Sequence, residues 1–234
     1  MKFMGSKARL AKELLSTILP FRLKKQLWVE PFVGGGNLLD KVTGPRLASD
    51  VDPHVISALK TIRDSLHLIP KSKSQFSEQD YASIKANPEH PLYGYVGFAL
   101  SYGGKWFGGW RRDSQQQRDY VAEAYRNAVH QSKLLQGAKL LCCSYLKLKI
   151  PPESLVYCDP PYQNTTKYRT SNHFDSKQFW EWVRSLHGLG HTVFVSEYEA
   201  PSDFHCVYQK LLTSSLTADT GSKSAIEKLF TLTI

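Results

Sequence analysis

The chain has 234 residues, 41% hydrophobic and 22% charged, and a formal net charge of +9. These are ordinary proportions for a soluble globular protein, and no apolar stretch reaches membrane-spanning length, so no membrane-spanning helix is expected. The positive balance points to a polyanionic partner, nucleic acid first, against the plainer reading of a basic solvated surface.

In chain order, residues 6–19 carry apolar positions at helical spacing, with Ser6 as N-cap and Pro20 as stop. Gln26–Glu30 reads as a short strand, ended by Pro31 and the Gly34–Gly36 run. A short helix is expected over 37–42 and a strand over Arg46–Asp50. Asp52-Pro53 reads as an N-cap with Pro at the first helical position, opening a helix to about Ser65. Strand, glycine loop, helix, strand and helix is how an open α/β sheet begins. Residues 70–118 break that rhythm, although Ser77 and Asp80 form a capping-box pattern for a helix over 77–86.

A long amphipathic helix is predicted from about Ser114 to Gln136, ended by Gly137. Strands follow at 138–147 and 155–158, a helix at 176–187, and a strand at 192–198. The segments 205–216 and 228–234 read as a closing antiparallel pair. The fold class is therefore α/β, with residues 1–69 and 137–234 as one domain and 70–136 as an inserted region. None of the cysteines, Cys142, Cys143, Cys158 and Cys206, shows C-x-x-C spacing. They read as reduced core thiols, with no metal site expected. The N-terminus lacks the apolar core of a secretory signal, so a cytoplasmic protein is expected.

Two motifs carry chemistry. In Glu30-Pro-Phe-Val-Gly-Gly-Gly-Asn37 the glycines follow a strand, where the missing Cβ lets a ligand approach the backbone. The run is neither the dinucleotide fingerprint nor a P-loop, so a nucleoside without a phosphate cradle fits better. Asp50, at the end of the next strand, is placed to accept from both hydroxyls of a ribose; the bland readings are a tight turn and a helix cap. The second motif is Asp159-Pro160-Pro161-Tyr162, directly after the apolar run 155–158. Two prolines cannot continue a helix or an inner strand, so they hold stiff backbone just past the sheet edge. An acid before them and an aromatic after them suit a planar base with an exocyclic amine: the acid accepts from the amine, and the ring stacks on the base. A proline-stiffened turn is the alternative.

Phe3-Met-Gly-Ser-Lys7, the glycine motif, Ser49-Asp-Val-Asp52 and the Asp159–Tyr162 motif stand in the order found in Dam-like DNA adenine-N6 methyltransferases, the D12 class of the α group. The chain resembles that family from residue 3 to its last strands. The resemblance implies a Rossmann-like sheet binding S-adenosylmethionine. It implies a cofactor pocket lined by Phe3 and Lys7, with Phe32, Gly34, Gly35 and Gly36 under the methionine moiety, Asp50 on the ribose, and Asp159 where cofactor and target base meet. Family members often carry Trp or Tyr where this chain has Phe3.

Hydrogen bonds from adenine N6 to the Asp159 carboxylate and the Pro160 carbonyl would drive the amine toward sp³ character, ready to attack the methyl in line. Positioning then supplies much of the rate, and the base must leave the duplex stack, onto Tyr162. No metal takes part in this scheme.

The segment 101–112 lies where the α group carries its target-recognition region, and Lys105, Trp106, Arg111 and Arg112 are its candidate DNA contacts. An aromatic core patch is the competing reading. Lys167 and Tyr168, in a polar loop beside the base pocket, are further DNA candidates. Double-stranded DNA is the expected partner and a monomer the expected state, a dimer being the alternative. The length fits a solitary or phage-type enzyme in a bacterial or phage-infected cell; membership of a restriction-modification pair is the alternative. Cytosine-N4 methylation, an RNA substrate, and a non-catalytic DNA-binding module with a vestigial cofactor fold are the competing functions.

Overall fold

A computed structural model of the chain describes residues 1–113, 115, 117–162, 174–214 and 223–232. Its spine is a seven-stranded sheet of order β3-β2-β1-β4-β5-β7-β6. The strands are β1 Trp28–Glu30, β2 Arg46–Asp50, β3 Ala138–Cys142, β4 Leu155–Cys158, β5 Thr192–Glu197, β6 His205–Ser214 and β7 Lys223–Thr231. β1 to β5 run parallel, and β7 joins β5 antiparallel with β6 outside it. The fold is Rossmann-like α/β. β1 lies between β2 and β4, so the strand order reverses there. In such sheets a crevice opens beyond the carboxyl ends of the strands at the reversal. The Gly34–Gly36 loop follows β1 and Asp159 follows β4, so both flank that crevice.

The helices are α1 Ala11–Ile18, α2 Pro53–Asp64, α3 Glu78–Lys85, α4 Tyr93–Ala99, α5 Tyr120–Leu135 and α6 Ser176–Gly188. Ser6 caps a 3-10 turn over Lys7–Arg9, and α1 starts only after Leu10, so the expected helix over 6–19 is broken in two. Pro20 lies inside a second 3-10 turn, Leu19–Phe21, and the segment 37–42 keeps only a 3-10 turn, Leu39–Lys41. The Asp52 cap of α2 and the Ser77–Asp80 capping box of α3 are formed. α5 begins at Tyr120 because Asp119 accepts from Ala122 N at 2.9 Å and caps it there. β3 stops at Cys142, and Ser144 caps a 3-10 turn over Tyr145–Lys147.

α4, in sequence Tyr-Gly-Tyr-Val-Gly-Phe-Ala, was not expected as a helix. Its glycines permit close packing. A Cβ on Gly94 would come within 2.6 Å of His54 O in α2, and one on Gly97 within 2.3 Å of the Trp106 ring. Residues of 70–136, among them Tyr95, Phe98, Val121 and Ala128, share one hydrophobic core with Leu14, Trp28, Ala48 and Leu59. A second core, with Val29, Val156, Phe179, Trp180 and Val195, lies under α6. Of the four cysteines read as core thiols only Cys158 is buried; Cys142 and Cys206 are exposed, since both lie on outer strands of the sheet. No helix among the described residues is long and apolar enough to cross a membrane.

Candidate active site

The glycine loop is built from β1 outward. Val33 N donates to Ser49 O at 2.9 Å, tying the loop to β2. Gly34 N donates to Asp50 Oδ2 and Asp52 N to Asp50 Oδ1, each at 3.0 Å. Asp50 is therefore fixed at the loop's edge with both oxygens oriented by backbone. Burial pushes its carboxyl up to about 6, against the pull of those N–H groups. Gly34 and Gly36 have φ of +47° and +67°, the left-handed region where a side chain is strained. A Cβ on Gly35 would lie 2.5 Å from Asn37 Nδ2 and 2.7 Å from Phe3 Cβ. Beneath the loop, Glu30 is buried and accepts from Trp28 Nε1 at 2.8 Å; burial pushes its carboxyl up to about 8. Gln131 of α5, also buried, donates to Gly35 O at 3.0 Å and to Asp40 Oδ2 at 3.0 Å, holding the loop from behind.

The segment from Phe3 to Lys7 spans the crevice. Phe3 packs on Gly34 and Gly35 and on Phe98, ring centres 5.2 Å apart, and Met4 N donates to Gly104 O at 3.1 Å. Asn37 Nδ2 donates to Ser6 Oγ at 2.8 Å. Four residues on from Phe3, Lys7 Nζ stands 2.9 Å from Asp159 Oδ1 and 3.1 Å from Glu227 Oε1. The same ammonium lies 4.5 Å from the centre of the Tyr162 ring, whose hydroxyl donates to Glu227 Oε1. Tyr198, just past β5, meets Tyr162 edge-on at 4.8 Å.

Burial disfavours the charge on Lys7, but Asp159 and Glu227 outweigh it and hold the ammonium protonated, above its ordinary value. Burial raises Asp159, with Lys7 pulling it down and Glu227 pushing it further up. Tyr162 is raised by burial and then by the two carboxylates, so its hydroxyl stays a donor. The result is an acceptor carboxylate held in place at the sheet edge beside an aromatic wall.

The structure brings together Phe3, Gly34, Gly35, Gly36 and Asp50 in one group and Lys7, Asp159 and Tyr162 in another, joined by the segment from Phe3 to Lys7. Pro160 is buried and Pro161 half-buried between Asp159 and Tyr162. The Phe32 ring, half-buried, packs on Tyr145 at 5.2 Å and Phe179 at 5.7 Å, against the core under α6.

The 101–112 segment divides. Trp106 is packed against Gly97, stacks on His54 at 4.5 Å and tilts onto Phe98 at 4.8 Å. Arg111 is buried, 3.0 Å from Glu123 and stacked on Tyr120 at 4.0 Å. These two follow the core-patch reading. Lys105 is exposed, as is Arg112, which pairs with Glu78. Lys167 and Tyr168 lie outside the described residues. Among the described residues no group of His, Cys, Asp and Glu is arranged to hold a metal ion.

Glu227 and Gln131 were not singled out in the sequence. The signal for Glu227 was its place on the inward face of β7, in step with buried Leu229 and Thr231, where a carboxylate needs a partner.

Residues 3–90 match the D12 class N6 adenine-specific DNA methyltransferases. A search of curated proteins found no match. Among solved structures the chain is similar to the precorrin 8W decarboxylase of Methanobacterium thermoautotrophicum, at 9% identity and a TM-score of 0.46 over 100% of this chain and 97% of that one. It is similar to the tRNA (m1A58) methyltransferase TrmI of Aquifex aeolicus, at 8% identity and 0.39 over 96% and 68%. It is also similar to an rRNA methylase of Streptococcus thermophilus, at 6% identity and 0.39 over 98% of each. Methyl transfer is the activity that the family match supports.

Proposed function

We propose, from the D12-class match, that the chain transfers a methyl group from S-adenosylmethionine to N6 of adenine in double-stranded DNA. The observation that carries this reading is the Asp159 carboxylate, fixed by Lys7 at 2.9 Å beyond the end of β4, beside the crevice that the glycine loop and Asp50 border.

The residues fit S-adenosylmethionine. Gly35 has no room for a Cβ, which would meet Phe3 and Asn37, so Phe3 closes directly on the loop; Asp50, oriented by two backbone N–H groups, offers carboxylate oxygens with lone pairs to spare for ribose hydroxyls. The Phe3 ring, pressed on the loop, offers a stacking surface. When bound, the cofactor would supply a methyl group on a positively charged sulfonium, whose S–C bond breaks to leave a neutral thioether.

The chain does the rest by placement. Adenine N6 is a poor nucleophile because its lone pair is delocalised into the ring. Asp159, as an anion, accepts one N6 hydrogen, and the Pro160 carbonyl accepts the other. Both bonds draw the amine toward sp³ character, and the proton that N6 sheds on gaining the methyl leaves along its bond to Asp159. One Asp159 oxygen is oriented by Lys7, and a carboxylate oxygen accepts more than one hydrogen bond, so the contact leaves acceptor capacity for the amine. Tyr162 and Tyr198 form the aromatic wall against which an extruded base would lie. Lys105 and Arg112, exposed among the basic residues, are the candidates for phosphate contact.

The test is methyl transfer from labelled S-adenosylmethionine to duplex DNA, followed by identification of the modified base. Label in N6-methyladenine supports the reading. Label in N4-methylcytosine or in RNA redirects it, and DNA binding without transfer supports a non-catalytic module instead.

A further inference from the structure

The reading above gives Asp159 a task and leaves a second carboxylate beside it without one. Glu227 belongs to β7, yet its side chain is 7% exposed and reaches the groups at the end of β4. Two buried carboxylates in one site repel each other and lose hydration, so each needs a compensating partner. Lys7 serves both, at 2.9 Å and 3.1 Å. Glu227 also accepts from the Tyr162 hydroxyl, which lies 65 residues away in sequence.

The elements that carry these groups are themselves fastened together. Glu13 of α1 accepts from the Tyr208 hydroxyl and the Lys210 ammonium of β6, drawing the hairpin onto the N-terminal segment that holds Lys7. Lys210 is the cross-strand neighbour of Glu227.

We propose that Glu227 is the positioning residue of this site: it shares Lys7 with Asp159 and anchors Tyr162 by its hydroxyl, so that the acceptor carboxylate and the aromatic wall keep one fixed separation. The inference rests on the methyltransferase reading of Asp159. Glu227 acts through Lys7 and Tyr162 and touches no reacting atom. Without it Lys7 would belong to Asp159 alone, an incoming amine would compete with a tighter ion pair, and the Tyr162 ring would lose the bond that sets its tilt. The charged and titratable groups facing Glu227 are Lys7 from the N-terminal turn, Tyr157, Asp159 and Tyr162 in and after β4, Tyr198 after β5, and Tyr208 and Lys210 in β6.

The test uses the full chain with ¹³C-labelled aspartate, the Asp159 carboxyl signal being assigned by its loss in Asp159→Asn. Glu227→Gln removes the charge but keeps an oxygen that can accept from Lys7 and Tyr162. The Asp159 titration midpoint is expected to move to lower pH in Glu227→Gln, because a repelling charge is gone and the Lys7 charge is no longer divided between two anions. In parallel, kcat on duplex DNA is expected to fall about 100-fold in Glu227→Ala, the scale of a misplaced reacting group, and by a smaller factor in Glu227→Gln. The dissociation constant for S-adenosylmethionine should change little in either. An unmoved Asp159 midpoint in Glu227→Gln overturns the proposal, whatever the activities. If the wild type methylates no DNA, the functional reading fails, and the titration still decides whether Glu227 acts on Asp159.

Discussion

Lys7 and Asp159 lie 152 positions apart in the sequence and 2.9 Å apart in the structure, joined by an ion pair just beyond the end of β4. The pair orients the carboxylate while Glu227 takes part of the lysine's charge. Asp159→Asn keeps the size of the side chain and removes the anion. Turnover is expected to fall by at least about 100-fold, the scale set by deleting one preorganised polar group from an active site. Circular dichroism and the melting temperature should stay close to the wild type, since Lys7 keeps Glu227. Retained turnover in this variant would remove Asp159 from the chemistry.

Gly35 is where the loop tolerates a side chain least. A Cβ there would meet Asn37 Nδ2 at 2.5 Å, Phe3 Cβ at 2.7 Å and Met1 O at 3.1 Å. Gly35→Ala is expected to lower stability by about 1–3 kcal/mol, the range for overpacking, and to weaken S-adenosylmethionine binding by displacing Phe3. Thermal unfolding with and without cofactor checks both effects.

Glu30 makes stability depend on pH. Its carboxyl sits at about 8 in the folded chain against an ordinary 4.5, because burial penalises its charge. The folded state therefore holds a proton that the unfolded state releases. The stability this contributes is fully present below 4.5, declines as pH rises, and is lost above about 8. Asp50, raised to about 6, adds a component of the same sign over a lower window. Glu30→Gln keeps an acceptor for Trp28 and should flatten the decline. Melting temperatures of both proteins between pH 5 and 9 check this, and parallel curves would count against it.

Arg111 and Arg112 are adjacent in sequence and opposite in role. Arg111→Ala removes a buried guanidinium stacked on Tyr120 and should lower the melting temperature. Arg112→Ala breaks an exposed pair with Glu78, worth about 0–1 kcal/mol, so stability should hold. If DNA runs past this surface, Arg112→Ala should instead weaken DNA binding uniformly across sequences and reduce its salt dependence. Titrations at two salt concentrations separate the effects.

The parts of this molecule legible in the sequence are those whose cause is local. The Ser77–Asp80 capping box, the Asp52-Pro53 helix start and the apolar strand before Asp159 each depend on residues a few positions apart. What escaped depends on partners far along the chain. The glycines of α4 read as loop residues because their purpose, close packing on His54 and Trp106, is tertiary. Trp106 read as a DNA contact because an aromatic among arginines suits one, yet Gly97 opens a seat for it in the core. Glu227 fell just outside the expected strand 228–234, and Lys7 and Tyr162, which give it meaning, come from the opposite end and the middle of the sequence. β7 starts at Lys223, five positions before the expected Lys228, because its ladder with β6 extends beyond β5.

The most direct test of the central claim is base analysis of duplex DNA incubated with the full chain and methyl-labelled S-adenosylmethionine, beside Asp159→Asn as control. The account expects label in N6-methyladenine with the wild type and none above background with Asp159→Asn. Equal labelling by the two proteins, or a wild type that binds DNA and transfers nothing, would contradict it.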